Sequence, residues 1–384
     1  MKKYFIILTV AALTASAACT KVEVIDNTPG QKISFTAANY APQTKAGEVS
    51  VLNDFTAFKC KAFMHAEGVE IVNDVLSSTS FQNFFGADGE TITYHAGTTG
   101  TWTPSHDYYW PKGSKSFINF VGWYGTDGID AVNPTIAYAY TGGKWTATMT
   151  WTFTTTLGSA GSNLLYADMA WRFKENNSPA TYGVSTNVSE GVPMLFHHAL
   201  AQINVKAYAL NADGKPALTD VVTDGVATWT IKFKNAKITP IYSGGTLTLT
   251  NADPGTEKTS QAWTGDWAGT GTAGDVAVSE HTVAAITKAT AANVIAPSCV
   301  LPQTLGDAAI TFDMEIVTSY SNDVSNTEII PVSIKFSDMG TTAWQQNHKY
   351  TYYIKVIPSQ NTVLFDPALE AEWIEDTTTT EKEI

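Results

Sequence analysis

Between Lys144 and Thr154 the chain alternates without a break. Trp145, Ala147, Met149, Trp151 and Phe153 take the odd positions, and threonines take 146, 148, 150, 152 and 154. In an extended strand a side-chain period of two sends all the apolar groups to one face and all the hydroxyls to the other. A helix, with its period of 3.6, would scatter the same residues around its surface. The pattern recurs. Phe58, Cys60, Ala62 and Met64 alternate with Lys59 and Lys61, and Ala201, Ile203, Val205 and Ala207 alternate with Gln202, Asn204 and Lys206. Trp229, Ile231 and Phe233 do the same, as do the runs 310–316, 330–336 and 350–356. Such regularity predicts strands with one buried and one wet face, as in a β-sandwich. Composition agrees: charged residues are only 15% of the chain, too few for a set of amphipathic helices. Over 384 residues these strands predict an all-β fold of two tandem sandwiches. The division falls at the polar turn 211–216, giving domains 46–215 and 216–384. The Asp-, Gly- and Thr-rich run 251–280 reads as a long loop, and 282–293 as a short helix.

The N-terminus carries a different message. Met1-Lys2-Lys3, the apolar run from Tyr4 to Leu13 and the small residues Ala15 to Ala18 form a secretory signal over 1–18. It is too short to span a bilayer comfortably. Ser16-Ala17-Ala18-Cys19 is similar to a bacterial lipobox, which makes Cys19 the acylated N-terminus, a palmitate-bearing anchor. Residues 19–45 then form a leader. Within it lies a strand-like run at Ile33, Phe35 and Ala37, followed by the polar stretch Gln43-Thr44-Lys45-Ala46-Gly47.

Charge excludes several partners. The net charge is −13, and removing residues 1–45 takes away five lysines and only two acids. An acidic chain of this kind suits neither nucleic acid nor an anionic membrane surface, so membrane contact is expected only through the anchor. Arg172 is the sole arginine, which removes the usual bidentate phosphate readers. No Cys/His spacing matches a zinc site, and no nucleophile elbow, zincin helix or Walker loop occurs. Neither an enzyme nor a metal or other cofactor is expected. His197 and His198 are adjacent and point to opposite faces of a strand, so that strand cannot aim both at one metal. Cys60 and Cys299 could pair, but Cys60 falls on the inward face of its strand, which favours a buried thiol. Of the eleven tryptophans, Trp145, Trp151, Trp229 and Trp373 are in phase with buried faces. Trp263 and Trp267 lie in the Gly/Thr-rich run and are the candidate ligand contacts, as stacking platforms for a glycan.

Several blocks together resemble the fimbrillin-type pilins and fimbrillin-like lipoproteins of the Bacteroidetes. They are Ser16-Ala17-Ala18-Cys19, Ile33-Ser34-Phe35 followed by Thr44-Lys45-Ala46, Tyr108-Tyr109-Trp110-Pro111 and Leu164-Leu165-Tyr166-Ala167. Further on come the block from Pro193 to Ala201, Leu301-Pro302-Gln303 and His348-Lys349-Tyr350-Thr351-Tyr352. The resemblance implies two transthyretin-like sandwiches exported as an outer-membrane lipoprotein to the cell surface. It implies a trypsin-like maturation protease that cuts between Lys45 and Ala46 and frees the strand bearing Ile33, Phe35 and Ala37. It also implies other pilin subunits as partners, whose C-terminal strands, here Val363, Phe365, Leu369, Ala371 and Trp373, fill the vacated groove. The resulting fimbria would support adhesion to a host protein or glycan. Lys45 departs from the family's usual arginine. That departure leaves open a non-polymerising surface adhesin, a glycan-binding lipoprotein, or an anchor or tip subunit.

Overall fold

The computed structural model describes residues 30–39, 56–66, 81–96, 101–111, 116–125, 133–141, 144–158, 163–176, 190–210, 222–223, 227–255, 258–278, 292–322 and 324–372. The signal peptide, Cys19, Lys45, Ala46 and Trp373 lie outside the described residues. Among those described, regular structure is strand apart from two short 3-10 turns, Phe336–Met339 and Pro358–Gln360. The chain is all-β, as the period-two pattern requires.

The first strands are β1 (Phe35–Asn39), β2 (Ala57–Ala66), β3 (Phe81–Asn83), β4 (Glu90–His95), β5 (Thr101–Pro104) and β6 (Ser116–Gly125). The hairpin β7 (Thr135–Thr141) and β8 (Lys144–Thr154) follows, then β9 (Leu164–Ala167), β10 (Met169–Phe173), β11 (Val192–His198) and β12 (Ala201–Ala209). Seven of these strands pair in a closed ring, in the order β6, β9, β11, β1, β5, β4, β2 and back to β6. The interior is filled by Phe35, Phe58, Ile92, Trp102, Phe120, Leu165, Met194 and Phe196, among others.

The second half supplies β13 (Val222–Thr223), β14 (Ala227–Ile241), β15 (Gly244–Ala252), β16 (Thr259–Gln261), β17 (Trp267–Thr270) and β18 (Gly274–Ala277). It continues with β19 (Ala292–Val300), β20 (Gln303–Thr304), β21 (Ala309–Tyr320), β22 (Ser325–Lys335) and β23 (Ala343–Trp344). The last are β24 (His348–Ile357), β25 (Thr362–Phe365) and β26 (Leu369–Glu372). One sheet runs β19-β12-β24 with β25 and β26 on the far edge of β24, and the other runs β13-β14-β21-β22. A core of Ile203, Val205, Ile231, Phe233, Ile316, Tyr352 and Ile354, among others, lies between them.

The sequence placed the change of domain near residue 215. In the structure β12 already belongs to the second sandwich, so the change of sheet falls at Ala199–Leu200. The run 251–280, expected to be a loop, holds β16, β17 and β18. Its short strands lack alternation because they are edge pieces with little to bury. Of the expected helix 282–293, only 292 and 293 are described, and they start β19. The chain also crosses back: β15 pairs along its length with β8, and β16 pairs with β10. The sheet β17-β15-β8-β7 therefore packs on the outside of the ring, over a third core that includes Trp145, Trp151, Trp171 and Leu249. Its wet face carries the threonines, set opposite one another as Thr246 and Thr152, Thr248 and Thr150, and Thr250 and Thr148. Strands β6, β9 and β10 lie between two cores, which explains their near-continuous apolar runs.

Candidate functional site

Strand β1 joins β11 to β5 and so completes the ring. It runs parallel to β11, from Phe35 opposite Val192 to Asn39 opposite Phe196, and touches β5 through Phe35 opposite Trp102. Just ahead of it the Ile33 amide donates to the Tyr108 carbonyl at 2.8 Å, and the Trp110 amide donates to the Gln31 carbonyl at 3.0 Å. Ile33, Phe35 and Ala37, singled out from the sequence as a removable strand, all point into the ring and are buried. The Phe35 ring meets Phe120 at 5.3 Å and Phe58 at 6.1 Å between centroids, both edge-on. Burying Ile33 and Phe35 is worth about 1.5–3 kcal/mol each. Taking β1 away would leave those pockets empty and expose the facing edges of β11 and β5.

Three devices hold β1 in place, and none was visible in the sequence. The first is Asn176. Its carbonyl accepts from the Ser34 amide at 3.2 Å and the Trp110 indole at 3.0 Å, and its amide donates to the Lys32 carbonyl at 2.9 Å. The second is Gly191, where a Cβ would stand 2.5 Å from the Phe35 carbonyl carbon, so only glycine lets the two backbones approach. The third is the buried carboxylate of Glu90. It accepts from the Ser105 hydroxyl, from Tyr108 at 2.8 Å and lies 2.9 Å from the His106 ring. Burial alone would raise the Glu90 carboxyl, but the bonds from Ser105, Tyr108 and His106 outweigh it and hold it below its usual range. Burial first, and then the bond to Glu90, pushes the Tyr108 phenol up to about 12. Glu90 thereby fixes the segment 105–110 against which the start of β1 lies.

The other half of the predicted exchange lies on β24. Strand β25 pairs with Ile354–Ile357 and β26 with His348–Thr351, so the two share one edge. Val363 is half-buried against the core, whereas Phe365 and Leu369 are 40% and 46% exposed. Alternation had suggested that Leu369, Ala371 and Trp373 face inward with Glu370 and Glu372 outward. Leu369 departs from that expectation, standing opposite Thr351 and exposed, while Glu370, opposite Tyr350 and accepting from its hydroxyl at 3.1 Å, is exposed as expected. Ala371 is placed opposite Lys349. In a strand a one-residue difference in register exchanges the two faces. Here the home sheet leaves Leu369 in solvent.

The remaining sequence candidates make contacts within the fold. Trp263 is buried, its indole donating to the Ala167 carbonyl at 2.9 Å, and half-buried Trp267 donates to Ala199 at 2.6 Å. The two bonds tie the β15–β17 region to ring strand β9 and to the corner between β11 and β12. The lone arginine adds another tie, its guanidinium meeting the buried Asp253 at 2.7 and 2.8 Å. His197 lies 2.8 Å from Asp168, while His198 is buried 3.1 Å from Asn163 and is held neutral chiefly by its burial. Cys60 and Cys299 are both buried free thiols, in different cores.

One short strand completes the ring and β26 pairs along the edge of β24 with Leu369 exposed, within an all-β protein of several sheets. The family model described as fimbrillin-like matches residues 66–370, and the chain belongs to that family. No curated protein sequence matches it. Among solved structures it is similar to a fimbrial protein from Bacteroides vulgatus, with 15% identity, 89% of this chain and 99% of that one covered, and a TM-score of 0.47. Provisionally assigned cell adhesion proteins from Bacteroides uniformis (15% identity, 89% and 98% covered, TM-score 0.42) and Bacteroides ovatus (12%, 91% and 98%, 0.43) are also similar. Likenesses this distant carry no functional weight.

Proposed function

We propose that this chain is a structural subunit of a cell-surface fimbria, exported as a lipoprotein through Cys19 and assembled by strand exchange. A trypsin-like protease cuts between Lys45 and Ala46, β1 leaves, and the C-terminal strands of another subunit enter the opened ring. The mature subunit keeps both the ring and the sandwich that begins with β12, and the filament serves adhesion. The observation that carries this reading is the mismatch between the two strands. β1 is short, buried from Phe35 to Ala37 and the only link between β11 and β5 among the described residues, while β26 pairs at home with Leu369 in solvent. Entering a groove would restore the backbone ladder and bury that side.

The test is to treat lipid-free protein with trypsin under native conditions and follow cleavage and assembly. Cleavage at Lys45 followed by an SDS-resistant ladder is expected, and deletion of 363–384 should leave cleavage intact while abolishing the ladder. Ladders that persist after the deletion would remove the donor role from these strands. An uncut Lys45 favours the second reading, an unprocessed anchor or surface adhesin, which the replacement of the family's arginine by Lys45 motivates.

A further inference from the structure

Away from β1 and β26, a cavity of about 290 Å³ opens between the ring and the outer sheet. Its lining is Lys59, Lys61, Asp88, Trp123, Asn133 and Pro134. The fold explains how these groups meet. Cys60 and Ala62 point into the ring, so Lys59 and Lys61 project from the opposite face of β2, about 7 Å apart along the strand. Lys59 stands opposite Trp123 in the β2–β6 register. Asp88 rides on a turn pressed against β2 by Gly89, whose φ of +75° and 2.6 Å Cβ approach to the Cys60 carbonyl oxygen leave room for glycine alone. Asn133 and Pro134 form the other wall as they lead into β7.

Two features point to a ligand. Lys61 has no carboxylate partner among the described residues, although the chain as a whole carries a net charge of −13. Trp123 is 1% exposed, and its indole N–H meets no acceptor among the described residues, a cost of about 1–3 kcal/mol for a buried donor. The volume sits at the lower end of ligand pockets, roughly 300 Å³, enough for a single ring.

We propose that this cavity binds one acidic monosaccharide unit, such as the uronic or sialic acid of a glycan. Lys59 and Lys61 take the carboxylate through charge-assisted bonds. Asp88 accepts from ring hydroxyls, the Asn133 amide donates to or accepts from them, and the buried Trp123 and Pro134 close the floor of the cavity. The site needs only a folded subunit, so it stands whether or not subunits exchange strands.

The experiment titrates lipid-free protein with N-acetylneuraminate and with glucuronate, using galactose and glucose as neutral controls, by calorimetry and saturation-transfer NMR. Saturable binding of at least one acidic sugar is expected, with neutral sugars about tenfold weaker and the K59Q/K61Q variant also weakened about tenfold. K61Q alone, on an edge of the cavity that bears no core packing, should give a partial loss with an unchanged melting curve. Absence of saturable binding by both acids, equal binding of neutral sugars, or undiminished binding by a folded K59Q/K61Q protein would each overturn the proposal.

Discussion

Gly191 and Arg172 show how much can rest on one side chain or on its absence. A Cβ at 191 would strike the Phe35 backbone, so Gly191→Val should expel β1 while leaving the rest of the ring paired. Cys60 reports the event. Its thiol is buried in the ring core and pushed up by that burial, whereas Cys299 lies in the outer core. In a Cys19→Ser background, mass spectrometry after treatment with a maleimide should find Cys60 protected in the parent protein and labelled in Gly191→Val, with Cys299 protected in both. Arg172→Gln makes the complementary point. It strands the buried Asp253 carboxylate and should cost about 3–5 kcal/mol in urea denaturation, a loss that R172M/D253N should partly recover. Neither role had a sequence signature, because a lone glycine or arginine looks the same wherever the chain happens to fold.

Among the elements, β1 and β26 were both legible as strands, but only β1 was legible in its facing. Ile33, Phe35 and Ala37 alternate and are buried, as a period of two requires when one side is a core. Leu369 and Glu370 alternate too, yet at the edge of β24 both stand in solvent. Periodicity says which residues share a face and leaves the choice of face to the partner strand. The segment 105–110 beside β1 brings a pH dependence. Glu90 is held below its ordinary 4.5, so its contribution is present above that value and is lost as pH falls through the lower folded value. The melting temperature should therefore fall as pH drops below about 4.5, and in Glu90→Gln it should start lower and lose part of that slope. Circular dichroism melts of both proteins check this, and parallel curves would remove Glu90 from the account.

For the molecule as a whole, the strands that cross between the halves matter most. β15 completes the sheet over the outer core and supplies Leu247 and Leu249, while Cys299 and Leu301 reach the same core from beyond it. A fragment ending at residue 215 would expose the apolar faces of Trp145, Met149 and Trp151. It should bind a hydrophobic dye and lack a cooperative melt, whereas the full chain should melt in one transition by calorimetry. Two separate transitions in the full chain would show that the crossing strands do not couple its halves.

The sequence by itself determined the all-β class, the cleanly alternating strands and the inward face of β1. Each follows from a local rule: a period of two leaves few other ways to bury Trp145, Met149 and Trp151 or Ile203 and Val205. The tertiary structure decided what those strands pair with. It moved the change of sheet to Ala199–Leu200, carried β15 back to β8, turned Leu369 outward, and gathered Asn176, Gly191 and Glu90 around β1. Strand pairing joins residues far apart in the chain through backbone groups that every residue carries, so its partners are chosen by the packing of whole sheets and leave little trace in any one stretch.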